Sequence, residues 1–238
     1  MKKKILITGG SGRFGNHLKH TVTKHELFFP TKKQFNILNI NSMLKYFKKI
    51  KPDIVIHLAG FSRPMELHNK KINKSINLNI IGTANITIAC SQKNIKLIYF
   101  STHYVYPGIN GNYNEEDPLK PFNNYAWSKL GGESSVMLYK NSLILRVCMT
   151  ERPFVHKKAF TNVKTSFLYQ DEVAKILFKL LNKKGIINVG GKAQNIYNFA
   201  KKENKNVKKI YQNKNLIKIP FDSTMNVKKL KKILKINS

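Results

Sequence analysis

The chain has 238 residues, of which 42% are hydrophobic and 11% aromatic, and this composition excludes a disordered or fibrous protein. No apolar run approaches the ~20 residues that a membrane-spanning helix needs. The apolar stretch after Met1 is short and ends in glycines, so we expect no secretion signal. Cys90 and Cys148 have no metal-binding or redox spacing, which favours a reducing cytoplasm and predicts no metal site.

The formal net charge is +31, from 43 basic and 12 acidic residues. Such a balance raises nucleic acid or an anionic membrane as a partner. However, only four of the basic residues are arginines, the usual readers of phosphates and bases, and the other 39 are lysines spread along the chain. We therefore expect no specific nucleic-acid partner and no membrane partner, although anionic small molecules would still be attracted.

Strand and helix patterns alternate over the first 150 residues. The predicted strands cover residues 3–8, 26–29, 53–58, 96–100 and 142–147. The predicted helices cover residues 14–24, 42–50 (capped by Asn41 or Ser42), 72–92 and 123–140, and residues 102–122 are rich in proline and glycine and read as a loop. Nearly continuous apolar strands between helices indicate a parallel sheet covered on both faces.

The pattern after residue 150 is less regular. Helices are predicted at 171–181, 195–203 and 227–234, and a short strand at 186–189. The fold class is therefore α/β, a Rossmann-type doubly wound parallel sheet with a small C-terminal substrate lobe. We place the dinucleotide-binding domain at residues 1–150 and the lobe at 151–238, with a soft boundary inside one compact protein.

A glycine-rich turn follows the first predicted strand and opens the first helix. Its glycines, Gly9, Gly12 and Gly15, are spaced three residues apart. Such glycines permit a tight turn, the approach of a pyrophosphate to the backbone, and close packing of helix and strand. The helix N-terminus adds free N–H groups and the positive end of a dipole. The turn predicts a dinucleotide-binding site.

The segment after the second strand suggests which dinucleotide binds. An NAD site usually has an acidic residue there to hold the ribose hydroxyls, but this chain continues with Pro30, Thr31, Lys32 and Lys33. Arg13 lies within the glycine turn and is one of only four arginines. These basic groups favour a 2′-phosphate, so the expected cofactor is NADP, with NAD as the alternative.

Tyr125 and Lys129 lie four residues apart at the start of a predicted helix, and so on one face of it. A free tyrosine has a pKa of about 10, and a neighbouring ammonium favours its phenolate. Tyr125 is therefore a candidate acid–base group for a carbonyl and alcohol pair, with Lys129 as its partner. Thr102 ends a strand, where open α/β sheets bind ligands, and can donate a hydrogen bond to a substrate oxygen.

Together these residues resemble the extended branch of the short-chain dehydrogenase/reductase superfamily. Residues 101–108, 113–117 and 124–133 are similar to dTDP-4-dehydrorhamnose reductase and its relatives. The resemblance implies three catalytic residues, Thr102, Tyr125 and Lys129. It also implies a set of cofactor-binding residues: Gly9, Gly12, Arg13, Phe14, Gly15, Lys32, Asn36, Ile37, Leu58, Ala59, Gly60, Asn79, Tyr125 and Lys129.

The resemblance implies substrate contacts from Ser62, Arg63, Thr102, His103 and Arg152. The chain departs from the family at three places. His103 replaces the usual aspartate after the threonine, and Asn36 replaces an acid at the adenine position. The segment after Val147, which in relatives builds much of the sugar-nucleotide pocket, is short.

The expected function is NADP-dependent reduction of a keto group on a nucleotide-linked deoxy sugar. One alternative is an epimerase or dehydratase of the same superfamily, which regenerates its bound cofactor in each turnover. Another is a non-catalytic regulatory subunit that binds a dinucleotide or a sugar nucleotide. A homodimer is an expected assembly.

Overall fold

The structure is a computed structural model and describes residues 1–213 and 219–236. The first half contains strands β1 (Lys4–Thr8), β2 (Glu26–Phe28), β3 (Ile54–His57) and β4 (Lys96–Thr102). Its helices are α1 (Arg13–Lys19), α2 (Ile40–Ile50), α3 (Leu67–Lys70), α4 (Ile72–Ser75) and α5 (Gly82–Gln92), with a π-helical turn at Ile76–Ile81 and a 3₁₀ turn at His103–Val105.

The second half begins with helix α6 (Asn124–Met137) and strand β5 (Ser142–Val147). Short strands follow: β6 (Met149–Thr150), β7 (Lys158–Phe160), β8 (Lys164–Thr165) and β9 (Leu168–Tyr169). The remaining elements are α7 (Gln170–Leu180), β10 (Gly185–Val189), β11 (Gln194–Asn195), α8 (Ile196–Lys201), β12 (Lys208–Ile210) and α9 (Lys228–Leu234). None of the helices in the described ranges is long and apolar enough to cross a membrane.

Six strands form the central sheet, in the order β10-β5-β4-β3-β1-β2. β1 pairs in parallel with β2 and β3, and β3 pairs in parallel with β4. Every residue of β3, β4 and β5 is buried, as expected for strands covered on both faces. The predicted α/β fold is confirmed. The strand order reverses between β1 and β3, which is where sheets of this kind bind ligands.

The chain divides into two compact units whose segments alternate along the sequence. Unit 1 comprises Met1–Ser101, Asn124–Leu145 and Leu177–Ile186, and unit 2 comprises Thr102–Asn123, Arg146–Ile176 and the residues from Ile187 onward. The core of unit 1 includes Leu6, Met43, Val55, Leu97 and Ile144. A separate core in unit 2 is built around Phe154, Tyr169, Ile196, Phe199 and Val207. The division at residue 150 stays a prediction.

Several element boundaries differ from the prediction. The first helix ends at Lys19 and not at the predicted residue 24, and the next strand begins at Glu26. The N-cap of α2 is Asn39, whose side chain accepts a hydrogen bond from Ser42 N, so the predicted cap at Asn41 or Ser42 was wrong. The predicted helix at 72–92 exists but is interrupted by the π-helical turn.

Candidate active site

The glycine turn in unit 1 lies at the reversal of strand order. Gly12 N donates to Gly9 O at 2.9 Å, and Gly9 has a φ of +73°. A Cβ atom on Gly9 would lie 2.6 Å from Ala59 N, and one on Gly15 would overlap Gly9 O. Both positions therefore need glycine so that the turn can pack against the end of β3 and against α1.

Gly12 differs from the other two glycines. A Cβ atom there would meet only Gly9 O, at 3.2 Å, so the Gly12 Cα borders open space. Gly12 is also the N-cap of α1 and has no side chain, so no N-cap side chain accepts a hydrogen bond from the first amides of the helix. The residues present therefore fit the phosphates of a dinucleotide, which would lie over Gly12.

A buried polar cluster joins the ends of β1 and β3. Thr8 Oγ1 accepts hydrogen bonds from Leu58 N at 3.2 Å and Ala59 N at 3.1 Å, and lies 2.8 Å from His57 Nδ1. Because both lone pairs of the hydroxyl are used, its hydrogen points to His57 Nδ1. His57 then carries its proton on Nε2 and donates to Thr83 Oγ1 at 3.1 Å.

This tautomer requires a neutral imidazole. Burial, together with the smaller effect of the nearby Lys129 charge, lowers the pKa of His57 to about 3. His57 is therefore uncharged at neutral pH and acts as a fixed hydrogen-bonding group. Through Thr8, the cluster holds the Leu58–Ala59 backbone beside the glycine turn.

Asn79 lies in the π-helical turn and is 1% exposed. Its Nδ2 donates to Phe61 O at 2.7 Å and to Ser128 Oγ at 2.8 Å, and its Oδ1 accepts from Phe61 N at 2.7 Å. Ser128 Oγ in turn donates to Tyr125 O at 2.7 Å. One amide group thus joins the loop after β3 to the first turn of α6, which carries Tyr125. π-Helical turns often occur at functional sites.

Tyr125 and Lys129 lie one turn apart on α6, as predicted. Lys129 Nζ lies 4.1 Å from the centre of the Tyr99 ring, and Tyr99 Oη donates to Lys129 O at 3.0 Å. Burial lowers the pKa of Lys129 to about 7, and the negative charge of Glu133 opposes this shift. Glu133 is buried and accepts a hydrogen bond from Ser101 Oγ at 2.6 Å. A lysine of this kind can gain and lose a proton near neutral pH.

The remaining predicted cofactor residues have varied settings. Phe14 and Ile37 are buried, with the Phe14 ring 5.2 Å from that of Phe100. The side chain of Asn36 accepts from Leu38 N at 3.1 Å, which is a local turn contact. Arg13 and Lys32 are exposed, as phosphate-binding side chains would be.

Thr102 and His103 belong to unit 2. Thr102 ends β4 and its hydroxyl accepts from Tyr104 N at 3.3 Å. His103 is buried; its Nδ1 lies 3.2 Å from Val147 O and its Nε2 lies 3.6 Å from Cys148 Sγ. Burial lowers the pKa of His103 to about 4. Both ring nitrogens are engaged within unit 2, so the predicted substrate contact of His103 would have to displace one of these partners.

Arg152, predicted to bind substrate, lies against three carboxylates. Its guanidinium pairs with Asp171 at 3.1 Å, with Glu172 at 3.8 Å and with Glu203. It also covers the Tyr169 ring at 4.0 Å. A diphosphate would have to compete with these carboxylates for Arg152.

Ser62 and Arg63, two of the predicted substrate contacts, are exposed in the segment after β3 that leads to the buried His68.

Sequence reasoning did not single out several other residues of this site. Ser128 offered a signal, since it lies between Tyr125 and Lys129 on the same helix. Glu133 offered a similar signal, since it lies four residues after Lys129 on the same helix. Thr8, Thr83 and His68 offered none, because their partners are distant in sequence or lie in a segment without a clear periodic pattern.

Comparison with known proteins places the chain in a family and identifies structures of the same fold. The family model described as RmlD substrate binding domain matches residues 2–169. The spore coat polysaccharide biosynthesis protein SpsK of Bacillus subtilis (strain 168) is 32% identical over 147 residues, which cover 60% of this chain and 52% of that protein. The dTDP-D-glucose 4,6-dehydratase of Dictyostelium discoideum is 33% identical over 187 residues, which cover 62% of this chain and 43% of that protein.

Among solved structures, dTDP-4-dehydrorhamnose reductase from Bacillus anthracis str. Ames in complex with NADP has the same fold. The TM-score is 0.85 at 23% identity, and the match covers 97% of this chain and 91% of that one. The chain spans about half the length of the curated relatives it matches. Since the family model covers well over half of the sequence, the chain belongs to the RmlD substrate binding domain family.

Proposed function

We propose that this protein is an NADP-dependent oxidoreductase that reduces the keto group of a nucleotide-linked deoxy sugar. The observation that carries the proposal is the pair on α6: Tyr125, tied to Asn79 through Ser128, and Lys129, whose pKa is lowered to about 7 by burial. A tyrosine and a lysine in this relation suit proton transfer to a carbonyl oxygen. Membership of the RmlD substrate binding domain family supports it.

When NADPH is bound, it supplies the hydride that reduces the sugar carbonyl. Tyr125 Oη donates its proton to the carbonyl oxygen, and the Lys129 ammonium stabilises the phenolate that remains. The Thr102 hydroxyl, at the end of β4, is the proposed hydrogen-bond donor to a substrate oxygen. The glycine turn, in which Gly12 is exposed, would hold the pyrophosphate of the cofactor, and the Leu58–Gly60 backbone would help to hold its nicotinamide.

Three features favour NADP over NAD. Arg13 and Lys32 are exposed near the ends of α1 and β2, and the segment after β2 offers no acid to hold a ribose hydroxyl. Structures of similar fold are known in complex with NADP and with NAD, so they support a dinucleotide but do not decide between the two. Titration of the protein with NADPH and NADH at one salt concentration tests the preference. Equal affinities, or tighter binding of NADH, would contradict it.

The proposed substrate class follows from the relatives. One is named for polysaccharide biosynthesis and another for a dTDP-sugar reaction, which supports a nucleotide-linked sugar as the substrate and polysaccharide synthesis as the pathway. Ser62, Arg63, His103 and Arg152 are the proposed substrate contacts. The two cysteines are free and buried, which suits a cytoplasmic location.

The deciding experiment follows NADPH absorbance while the purified protein is mixed with a panel of nucleotide-linked keto sugars. The proposal predicts consumption of NADPH in proportion to the alcohol formed, with at least one member of the panel. Substrate conversion without net NADPH consumption would instead favour the epimerase or dehydratase alternative, which the dehydratase relative makes the second candidate. Binding of NADPH and the sugar nucleotide without turnover would indicate a regulatory subunit.

The proposed assembly is a homodimer through the α5 and α6 face of unit 1. The sequence has no charged residue from Ser75 to Gln92, in a chain where 23% of residues are charged. Ile81 in the π-helical turn is 44% exposed, Ile88 on α5 is 43% exposed and Trp127 on α6 is 54% exposed. A chain of net charge +31 repels its own copies, and an uncharged apolar face is where that repulsion is weakest. Light scattering of wild type and Ile88→Lys tests it, and a wild-type monomer would contradict it.

A further inference from the structure

The backbone of Tyr125 is held by a chain of hydrogen bonds that begins at Asn79. Asn79 Nδ2 donates to Ser128 Oγ at 2.8 Å, and Ser128 Oγ donates to Tyr125 O at 2.7 Å. These contacts fix the first turn of α6. They do not reach the phenol ring, whose direction in space decides where its oxygen lies.

A second set of contacts from Asn79 does reach the ring. Asn79 binds both the N–H and the C=O of Phe61 at 2.7 Å. The Phe61 ring stacks on the His68 ring with 4.4 Å between centres and an angle of 27°. The His68 ring meets the Tyr125 ring edge-on, with 5.2 Å between centres and an angle of 66°. Asn79 therefore supports Tyr125 through its backbone on one side and its ring on the other.

His68 is held in one orientation and one tautomer. Its Nε2 lies 3.2 Å from Ser62 O, which can only accept, so Nε2 carries the hydrogen. Its Nδ1 lies 2.6 Å from Ser75 Oγ and therefore accepts the serine hydrogen. His68 is 1% exposed, and burial lowers its pKa, which favours the neutral ring. With both nitrogens bonded, the ring plane is fixed against rotation.

We propose that His68 is a positioning residue that sets the direction of the Tyr125 ring, with Ser75 locking His68. This inference rests on the proposed role of Tyr125 as the proton donor. An apolar ring would fill the space beside Phe61 and Tyr125 equally well, so packing alone gives no reason for a buried histidine with two engaged nitrogens. The hydrogen bonds from Ser75 and to Ser62 fix the plane of the His68 ring, and the Tyr125 ring packs against that ring.

The test removes the lock without removing the ring. Ser75→Ala deletes the hydroxyl that bonds His68 Nδ1, and Ser142→Ala is a matched control. Both serines are buried. Ser142 lies at the start of β5, and its Oγ donates to Val136 O at 3.2 Å. Ser75→Ala should lower kcat about 10-fold, with the KM for the sugar and the Kd of NADPH within about twofold of wild type, since a displaced catalytic group costs turnover rather than binding. Ser142→Ala should leave all three values near wild type.

A second readout does not depend on turnover. In cofactor-free protein labelled with ¹³Cζ-tyrosine, the Tyr125 signal is the one missing from Tyr125→Phe. It should move or broaden in Ser75→Ala and in His68→Phe, and remain in place in Ser142→Ala. If the signal and kcat of Ser75→Ala match the control while Tyr125→Phe is inactive, the positioning role is wrong and the proposed function survives. If Tyr125→Phe is active, both are overturned.

Discussion

Tyr125 and a phenylalanine differ by one oxygen atom, at a position where the backbone is held by Ser128 and the ring lies against His68. Tyr125→Phe should therefore keep the fold and the affinity for NADPH. Turnover should fall at least ~100-fold, the usual cost of removing a general acid. Steady-state kinetics and NADPH titration check this. The exposed Tyr211 provides the control, because Tyr211→Phe should leave turnover unchanged; near-native activity in Tyr125→Phe would refute the assignment.

Glu133 controls the charge of Lys129 from inside α6. Burial lowers the pKa of Lys129 to about 7, and the Glu133 carboxylate raises it. Glu133→Gln keeps an acceptor for Ser101 Oγ but removes the charge, so the pKa of Lys129 should fall below about 7. The ammonium form is then lost at lower pH, and the alkaline limb of the pH–kcat profile should move to lower pH. The exposed Glu116→Gln is the control, and an identical limb in both variants would exclude this role.

The sequence was sufficient to identify the residues whose partners lie close along the chain, and insufficient for the others. Tyr125 and Lys129 share a helical face that their spacing predicts. Arg152, in contrast, is surrounded by carboxylates from residues 171, 172 and 203, and no local pattern joins these positions. His68 depends on Ser75 and on Phe61, in a segment whose periodicity indicates no element.

At the scale of elements, the assignment of Asn39 as the N-cap of α2 can be tested by measuring the free energy of unfolding. Asn39 Oδ1 accepts from Ser42 N at 3.0 Å, whereas Asn41 lies one residue inside the helix and is exposed. Asn39→Ala should lower the free energy of unfolding by about 1 kcal/mol, the typical value of such a cap. Urea unfolding measures it. Asn41→Ala is the control with a small effect, and a larger loss in Asn41→Ala than in Asn39→Ala would reverse the assignment.

Substitutions in the glycine turn can separate a loss of NADPH affinity from a loss of stability. Gly12→Ala adds an exposed methyl group 3.2 Å from Gly9 O, a close contact that a small shift of the turn relieves, so the fold should tolerate it. The same methyl group occupies the proposed phosphate position, so the Kd of NADPH should rise at least ~10-fold. Gly15→Ala, whose methyl group would overlap Gly9 O, should lower the melting temperature as well. Unchanged NADPH affinity in a folded Gly12→Ala would place the phosphates elsewhere.

The bounds of the strands predicted for the central sheet were closer to the observed ones than those of the helices, whereas the short strands β6, β7, β8, β9, β11 and β12 were not predicted. β5 has the predicted bounds, because an apolar run buried on both faces ends where its burial ends. The helix at 72–92 matched in extent, but its π-helical turn follows from Asn79 contacts with Phe61 and Ser128, which are 18 and 49 residues away. Hydrophobic periodicity carries no information about contacts at that distance, so the interruption could not be predicted.

For the whole molecule, the run from Ser75 to Gln92 has no charged residue, although the chain has a net charge of +31. Residues 97–114 form an uncharged run of the same length, but β4 within it is buried, so the exposed positions between Ser75 and Gln92 require a separate reason. The buried side of α5 accounts for Ile86, Ala89 and Cys90, but not for the exposed Ile81 and Ile88. The proposed dimer accounts for them, because an interface excludes charge whereas solvent does not.

The buried histidines make the stability of the molecule depend on pH. The pKa of His57 is lowered to about 3 and that of His103 to about 4, in each case mainly by burial. In the unfolded chain both have a pKa of about 6.5, so between pH 6.5 and 4 the unfolded state binds more protons than the folded state. The stability of the neutral rings is complete above pH 6.5 and is lost as the pH falls, at up to about 1.4 kcal/mol per pH unit for each histidine.

Urea unfolding at pH 7.0, 6.0 and 5.0 measures this dependence, and the free energy of unfolding should fall at each step. His103→Asn isolates one contribution. Its amide can still donate to Val147 O, the partner of His103 Nδ1, but it does not titrate. The loss of unfolding free energy between pH 6 and 5 should therefore be smaller than in wild type by about 1 kcal/mol. An unchanged slope in His103→Asn would mean that the pKa of His103 is not lowered in the folded protein. A wild-type stability that is constant from pH 7 to 5 would mean that the folded protein takes up as many protons as the unfolded chain, and the assignment of His57 as a fixed neutral group beside the glycine turn would then fail.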